Sequence, residues 1–186
     1  MVVSHALSIA AALCLVACGT YYDPGDRYVR GLRVFDRGDY TTARQMWEPL
    51  VAAGDCDAEF RLGLLYFLAY GVDRDVPKAL ALWDSAANRG QPRAQYALGD
   101  VYFHSETDTR LFCRFGCDHV PQDLARAYKW YLLAEKSAAY DNDKKYVAEV
   151  LPRIRARLSG EQRSEGEREA ARWQPTPQTC KPRRLL

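Results

Sequence analysis

Apolar positions recur along the chain with the period of an α-helix, and one ten-residue pattern returns after 36 residues. Residues 58–67 read AEFRLGLLYF, and residues 94–103 read AQYALGDVYF. The shared apolar positions are spaced i, i+4, i+7 and i+8, which places them on one face of a helix. The pattern therefore predicts two equivalent amphipathic helices.

A second helix is predicted after each of these segments. Residues 78–87 read KALALWDSAA, and residues 126–135 read RAYKWYLLAE. Asp75 and Asp123 precede them at positions where a carboxylate can accept hydrogen bonds from the free amides of a helix start. Gly90 follows the earlier one and is expected to end it in the left-handed conformation.

A shorter unit precedes both, because Ala43 and Trp47 lie 36 residues before Ala79 and Trp83. One helix pair cannot bury its apolar face alone, and about three stacked pairs make a stable repeat array. We therefore predict an all-α fold, an α-solenoid of about three antiparallel helix pairs. The predicted solenoid spans residues 28–158, with units at about 28–54, 56–90 and 92–136.

The C-terminal part is expected to cover the end of this stack. Residues 140–158 are predicted to form a further helix, interrupted near Pro152. Ser159 and Gln162 form a capping-box pattern that opens a strongly polar helix over residues 159–173, the predicted C-terminal capping helix. Residues 174–186 are predicted to be a basic, poorly ordered tail.

These residues carry a family resemblance. The motifs Leu-Gly-x-x-Tyr, Gly-Val-x-x-Asp, Lys-Ala and Ala-Ala-x-x-Gly resemble those of the Sel1-like repeat, a relative of the tetratricopeptide repeat. The resemblance covers residues 28–173 and implies a solenoid that binds proteins. Three positions depart from the family pattern: Trp83 replaces a tyrosine, and Ala69 and His119 replace loop glycines.

The N-terminus has the features of an export signal. The run from Ala6 to Ala17 is uncharged and apolar, but it is shorter than the ~20 residues that span a bilayer. Residues 15–18 read LVAC and resemble a bacterial lipobox, which implies a signal peptide over 1–17 and lipidation of Cys18. Residues 18–27 would then be the lipidated N-terminus and a short tether. Gly19 resembles the residue that directs lipoproteins to the outer membrane, and an ordinary secretory signal is the alternative.

Composition and charge indicate a folded domain and do not point to nucleic acid as a partner. Of the 186 residues, 48% are hydrophobic and 27% are charged, which is typical of a folded domain. The net charge of +2 gives no reason to expect nucleic acid. From residue 152 onward nine basic residues stand against four acidic ones, as expected for a solvated helix and tail.

The third unit carries an insertion of about twelve residues, near residues 105–117, and the stretch 104–119 around it holds both histidines and half of the cysteines that remain beyond the predicted lipidation site. In an oxidising compartment, Cys113 and Cys117 are expected to form a local disulfide. The alternative is a zinc site in which His104 and His119 join these two cysteines. Cys56 and Cys180 then remain as a second candidate disulfide, and sequence alone does not fix the connectivity.

No motif of a reaction centre is present: the sequence lacks a phosphate loop, a zinc-protease helix and a nucleophile elbow. A cysteine-rich branch of the Sel1-like family is associated with β-lactam hydrolysis, but its cysteine pair in each repeat is missing here. We therefore predict a non-catalytic scaffold without a cofactor or small-molecule substrate. It is expected to be anchored by lipid in the cell envelope, facing the periplasm, and to bind a protein or peptide through its concave face and the insertion. The alternatives are a metal-binding or redox-sensing module and a secreted effector that binds a host protein.

Overall fold

The computed structural model describes residues 24–103, 120–137, 141–176 and 180. Within these residues the secondary structure consists of helices, and no strand occurs. The helices are α1 (Pro24–Asp36), α2 (Tyr40–Ala52), α3 (Cys56–Leu68), α4 (Val76–Asn88), α5 (Pro92–Phe103), α6 (Leu124–Ser137), α7 (Asp141–Arg155) and α8 (Gly160–Arg172).

The helices stack in chain order as three antiparallel pairs: α1 with α2, α3 with α4, and α5 with α6. Successive pairs are joined because α2 packs on α3 and α4 packs on α5. Helix α7 packs against α6 and touches α5, in the place that the first helix of a fourth pair would take. Helix α8 lies across α6. The all-α solenoid predicted from the sequence is confirmed.

The capping residues repeat with the helices. Each second helix begins after an aspartate whose carboxylate accepts from the amide three residues later, at 3.1 Å for Asp39 and 2.9 Å for both Asp75 and Asp123. This bond lowers the pKa of Asp39. Helix α3 is capped by Asp55 at 2.9 Å, and Gln91, 36 residues later, caps α5 at 2.7 Å. The sequence prediction for Asp75 and Asp123 is confirmed, and the same arrangement holds at three further helix starts.

Five described positions have a positive φ, four of them glycines, and two of the five bear on the sequence analysis. Gly90 has φ +89° after α4, as predicted. Ala69 follows α3 with φ +57°, so the alanine that departs from the family pattern takes a conformation that favours glycine. An alanine therefore holds a conformation here that a glycine would adopt at lower cost.

A glycine of the first helix meets a buried aromatic ring of the second helix in every unit. The three pairs are Gly31 with Trp47, Gly63 with Trp83, and Gly99 with Tyr131. In the middle pair, the indole nitrogen of Trp83 donates to the backbone carbonyl of Phe60 at 3.0 Å. The ring lies directly on the backbone of α3, so a glycine is needed for the helices to approach this closely.

Replacing Gly63 by alanine is expected to lower the free energy of unfolding by about 2 kcal/mol. A Cβ at this position would lie 2.7 Å from Cδ1 of Trp83, whose side chain is fully buried and cannot move aside without displacing its neighbours. Urea denaturation followed by circular dichroism measures the effect. The matched control is Gly160→Ala, because a Cβ at Gly160 meets nothing within 4 Å. Equal stability of the two variants would contradict this account of the packing.

The helix predicted to be interrupted near Pro152 is continuous, so that prediction is wrong. Helix α7 runs through Pro152 to Arg155. Proline removes only one backbone donor, and it stands here in the last turn. Leu151 and Ile154, on either side of it, are fully or almost fully buried. Their packing favours the helix over the break.

The capping helix is present as predicted, with a complete capping box between Ser159 and Gln162. The prediction of a poorly ordered tail is wrong for residues 174–176 and 180, which are the part of the tail that the structure describes. The amide of Thr176 donates to the carbonyl of Asn88 at 2.9 Å, and the amide of Cys180 donates to the carbonyl of Arg89 at 2.9 Å. These bonds hold the chain against the end of α4, a contact that composition could not indicate.

Candidate protein-binding surface

The first helices of successive units line up a row of aromatic side chains, of which two are buried and two are partly exposed at the surface. Tyr28, Phe60 and Tyr96 each stand three residues before the packing glycine of their unit, and Tyr146 on α7 continues the row. The ring centres of Phe60 and Tyr96 are 6.4 Å apart, and those of Tyr96 and Tyr146 are 5.4 Å apart. We call this surface the first-helix face and define it by these four residues with Arg61 and Arg93.

Polar contacts fix the geometry of this face between α5 and α7. The guanidinium of Arg93 donates to the carboxylate of Asp143 at 3.1 Å. Burial alone would lower the pKa of Arg93, but Asp143 raises it above its usual value. Burial, reinforced by the charge of Asp143, raises the pKa of Tyr96 well above its usual range. Tyr96 is therefore a neutral, half-buried phenol at physiological pH.

A buried carboxylate joins three helices beneath the same surface. Asp100 on α5 accepts hydrogen bonds from the hydroxyls of Tyr131 on α6 and Tyr146 on α7. The carboxylate is 7% exposed, so each hydroxyl satisfies part of a charge that would otherwise be costly to bury. Tyr146 is thereby held in place. Its side chain would therefore lose little conformational entropy when a partner binds.

Arg61 occupies the middle of the first-helix face. Its guanidinium carbon lies 5.9 Å from the ring centre of Phe35 and 5.8 Å from that of Phe60. Its Nε donates to the hydroxyl of Tyr28 over a long 3.5 Å. Burial raises the pKa of Tyr28 despite the opposing charge of Arg61. Tyr28 is itself buried, so the pair brings the partly exposed cation of Arg61 to the face and keeps the phenol beneath it.

A cavity of about 650 Å³ lies on a different side, between the starts of α4 and α6. Its walls include Val76, Leu80 and Tyr102, and Arg126 covers the Tyr102 ring at 4.2 Å. The previous unit repeats this contact, with the Lys78 ammonium 4.0 Å from its tyrosine ring. The cation–aromatic contact therefore belongs to the repeat, and the cavity borders the ends of the insertion in the sequence.

The structure describes only part of the residues that the sequence singled out. Cys18, Cys113, Cys117, His104 and His119 lie outside the described residues, as does the rest of the insertion. Among the residues that are described, no group of three or more His, Cys, Asp or Glu side chains could hold a metal ion. No described helix combines the length and apolarity needed to cross a membrane.

The second candidate disulfide lies within the described residues. Cys56, the first residue of α3, is bonded to Cys180, with their Cα atoms 5.7 Å apart. Ala86 on α4 supplies a carbonyl 3.6 Å from the Cys180 sulfur. The bond fastens the chain after α8 to the junction between the first and second units.

Three charged residues of this region, Arg61, Arg93 and Asp100, were not predicted from the sequence. A usable signal was present, because an aromatic residue stands three positions before the glycine in each unit and marks the same helix face. The charged residues on that face do not repeat between units, so the period could not point to them.

Comparisons with known proteins agree with this architecture. The family model described as the Sel1 repeat matches residues 56–91 and 92–137. A protective antigen of uropathogenic Escherichia coli with an SLR fold superposes with a TM-score of 0.66 at 21% identity, over 81% of this chain. A Sel1 repeat protein from Oxalobacter formigenes superposes with a TM-score of 0.56 at 27% identity, also over 81%. The matches span 30% and 56% of those two chains, respectively. Comparison with curated proteins gives no match.

Proposed function

We propose that this chain is a scaffold of the bacterial cell envelope, on the premise that it contains two Sel1 repeats and that members of this family are generally non-catalytic scaffolds for protein–protein interactions. It holds a protein or peptide partner on the first-helix face. The observation that carries the proposal is the row of aromatic and arginine side chains that crosses α1, α3, α5 and α7. Aromatic residues and arginine are the side chains most enriched at protein interfaces.

The rigidity of the face supports binding. Tyr96 packs between Phe60 and Tyr146, Arg93 is fixed by Asp143, and Tyr146 is fixed from below by a buried carboxylate. A surface that is ordered before binding loses little conformational entropy when a partner docks. No nucleophile paired with a base is described on this face.

The envelope location rests on the lipobox-like residues 15–18, and the disulfide supports it. Disulfides persist in oxidising compartments such as the periplasm and are rare in the cytosol. A thiol pair that joins two distant parts of the chain is consistent with export. In this proposal Cys18 carries the lipid, and the solenoid begins a few residues later.

A photo-crosslinking amino acid placed at Tyr96 in living cells is expected to give one discrete adduct in the membrane fraction. Intact-mass measurement of the protein from that fraction should show a chain that starts at Cys18 and carries acyl chains. Both results follow if a lipid-anchored scaffold presents the first-helix face to a partner. The crosslink therefore tests the binding face, and the intact mass tests the lipid anchor independently.

The control places the same amino acid at Arg168, an exposed position on α8. No adduct is expected there. The same adduct from both positions, or none from Tyr96, would refute binding through this face. An unmodified Cys18 would refute the anchor and leave the face untouched.

A further inference from the structure

Arg61 differs from two other arginines that lie at least partly buried in the stack, because no carboxylate of the described residues forms an ion pair with it. Arg89 pairs with Glu59, and Arg93 pairs with Asp143. Asp57 stands one turn before Arg61, a position suited to an ion pair within the helix. Its carboxylate accepts instead from the side-chain amide of Gln91 at 2.9 Å. Arg61 thus brings to the face a positive charge that no carboxylate of the described residues neutralises in an ion pair.

The surroundings of Arg61 hold its guanidinium as a recognition group. The rings of Phe35 and Phe60 flank it at just under 6 Å, a distance at which an aromatic ring attracts a cation. The Tyr28 hydroxyl takes up only one of its five N–H donors, over a long bond. A planar guanidinium with several remaining donors suits two-point bonding to a carboxylate.

We propose that Arg61 receives an acidic side chain of the partner, so that the first-helix face selects an extended acidic peptide segment. This deepens the proposed function and rests on it. The carboxylate pairs with the guanidinium, and the neighbouring segment of the peptide packs along Tyr96 and Tyr146. Charge complementarity is the basis for the choice, since a half-buried cation without a counter-charge is stabilised most by an anion.

The test measures binding of a short fluorescent peptide in which glutamate alternates with alanine, using the chain from residue 19 onward, which contains every described helix. Fluorescence anisotropy should show that Arg61→Gln weakens binding about tenfold, because a charge-assisted hydrogen bond is lost. Arg61→Lys keeps the charge but loses the planar fork, so intermediate affinity is expected. A peptide with glutamine in place of glutamate should bind the wild type as weakly as the glutamate peptide binds Arg61→Gln.

Arg168→Gln is the matched control, because it removes the same charge from an exposed position on α8. Its affinity for the glutamate peptide should equal that of the wild type. An equal loss in both variants would show that net charge alone governs binding and would overturn the proposal. Displacement of the peptide by inorganic tripolyphosphate at lower concentration than by free glutamate peptide would also overturn it, in favour of a phosphate site. If these tests fail while Tyr96 still crosslinks in cells, only the acidic specificity is lost.

Discussion

Replacing Arg89 by methionine is expected to lower the free energy of unfolding by about 4 kcal/mol, because it leaves the buried carboxylate of Glu59 without its counter-charge. The side chains of both residues are less than a tenth exposed. Arg89 also donates to the carbonyl of Gly54 at 2.8 Å and to that of Ser85 at 3.3 Å. It therefore links the end of α4 to the turn before α3. Chemical denaturation of the purified variant measures the loss.

The double variant Glu59→Leu with Arg89→Met separates the ion pair from its burial. Once both charges are gone, apolar side chains of similar volume fill the space, so most of the lost stability should return. Arg168→Met is the exposed control and should change stability by less than about 0.5 kcal/mol. A single Arg89→Met variant as stable as the wild type would show that the pair is not buried as described.

Replacing Cys56 and Cys180 together by serine is expected to lower the free energy of unfolding by about 4 kcal/mol, since the disulfide closes a long loop. The two residues are separated by 124 positions, and the cross-link removes many conformations from the unfolded chain. The melting temperature should fall by about 10 °C for a domain of this size. Differential scanning calorimetry of the oxidised proteins measures the difference, and a reducing agent should lower the wild type to the level of the variant.

The Cys113→Ser, Cys117→Ser variant is the control. If these two residues form the local disulfide predicted from the sequence, their loop is very short and its closure restricts the unfolded chain much less. The expected loss is therefore smaller than for the long-range pair. A larger loss from this control would point to a different connectivity of the four cysteines.

The repeat period was sufficient to predict the helices and their starts. A spacing of 36 residues places Asp39 and Asp75 at equivalent helix starts, and the apolar face of each helix follows from i, i+4 and i+7 spacing. Gly63 and Gly99 mark equivalent close approaches for the same reason. Helix caps, apolar faces and packing glycines recur in each unit, so comparing the sequences of the units reveals them.

Features that occur only once had no such signal. The pairing of Arg89 with Glu59 joins residues from different helices, and neither charge recurs in the next unit. The bonds of Thr176 to the end of α4 depend on how α8 places the chain, which follows from three-dimensional packing alone. The continuity of the helix through Pro152 was not predicted because local propensity does not include the burial of the neighbouring residues. The absence of an ion pair at Arg61 likewise depends on which carboxylates the other described helices bring near it.

The disulfide between Cys56 and Cys180 also divides the molecule mechanically. Helices α3 to α8 lie inside the covalent loop that it closes, whereas α1 and α2 lie outside. A pulling force applied to the two ends of the chain passes through α1, α2 and the cross-link, and it does not stretch the six helices between the cysteines. The first helix pair is therefore the part that yields under load, and the rest keeps its shape for as long as the sulfurs stay joined.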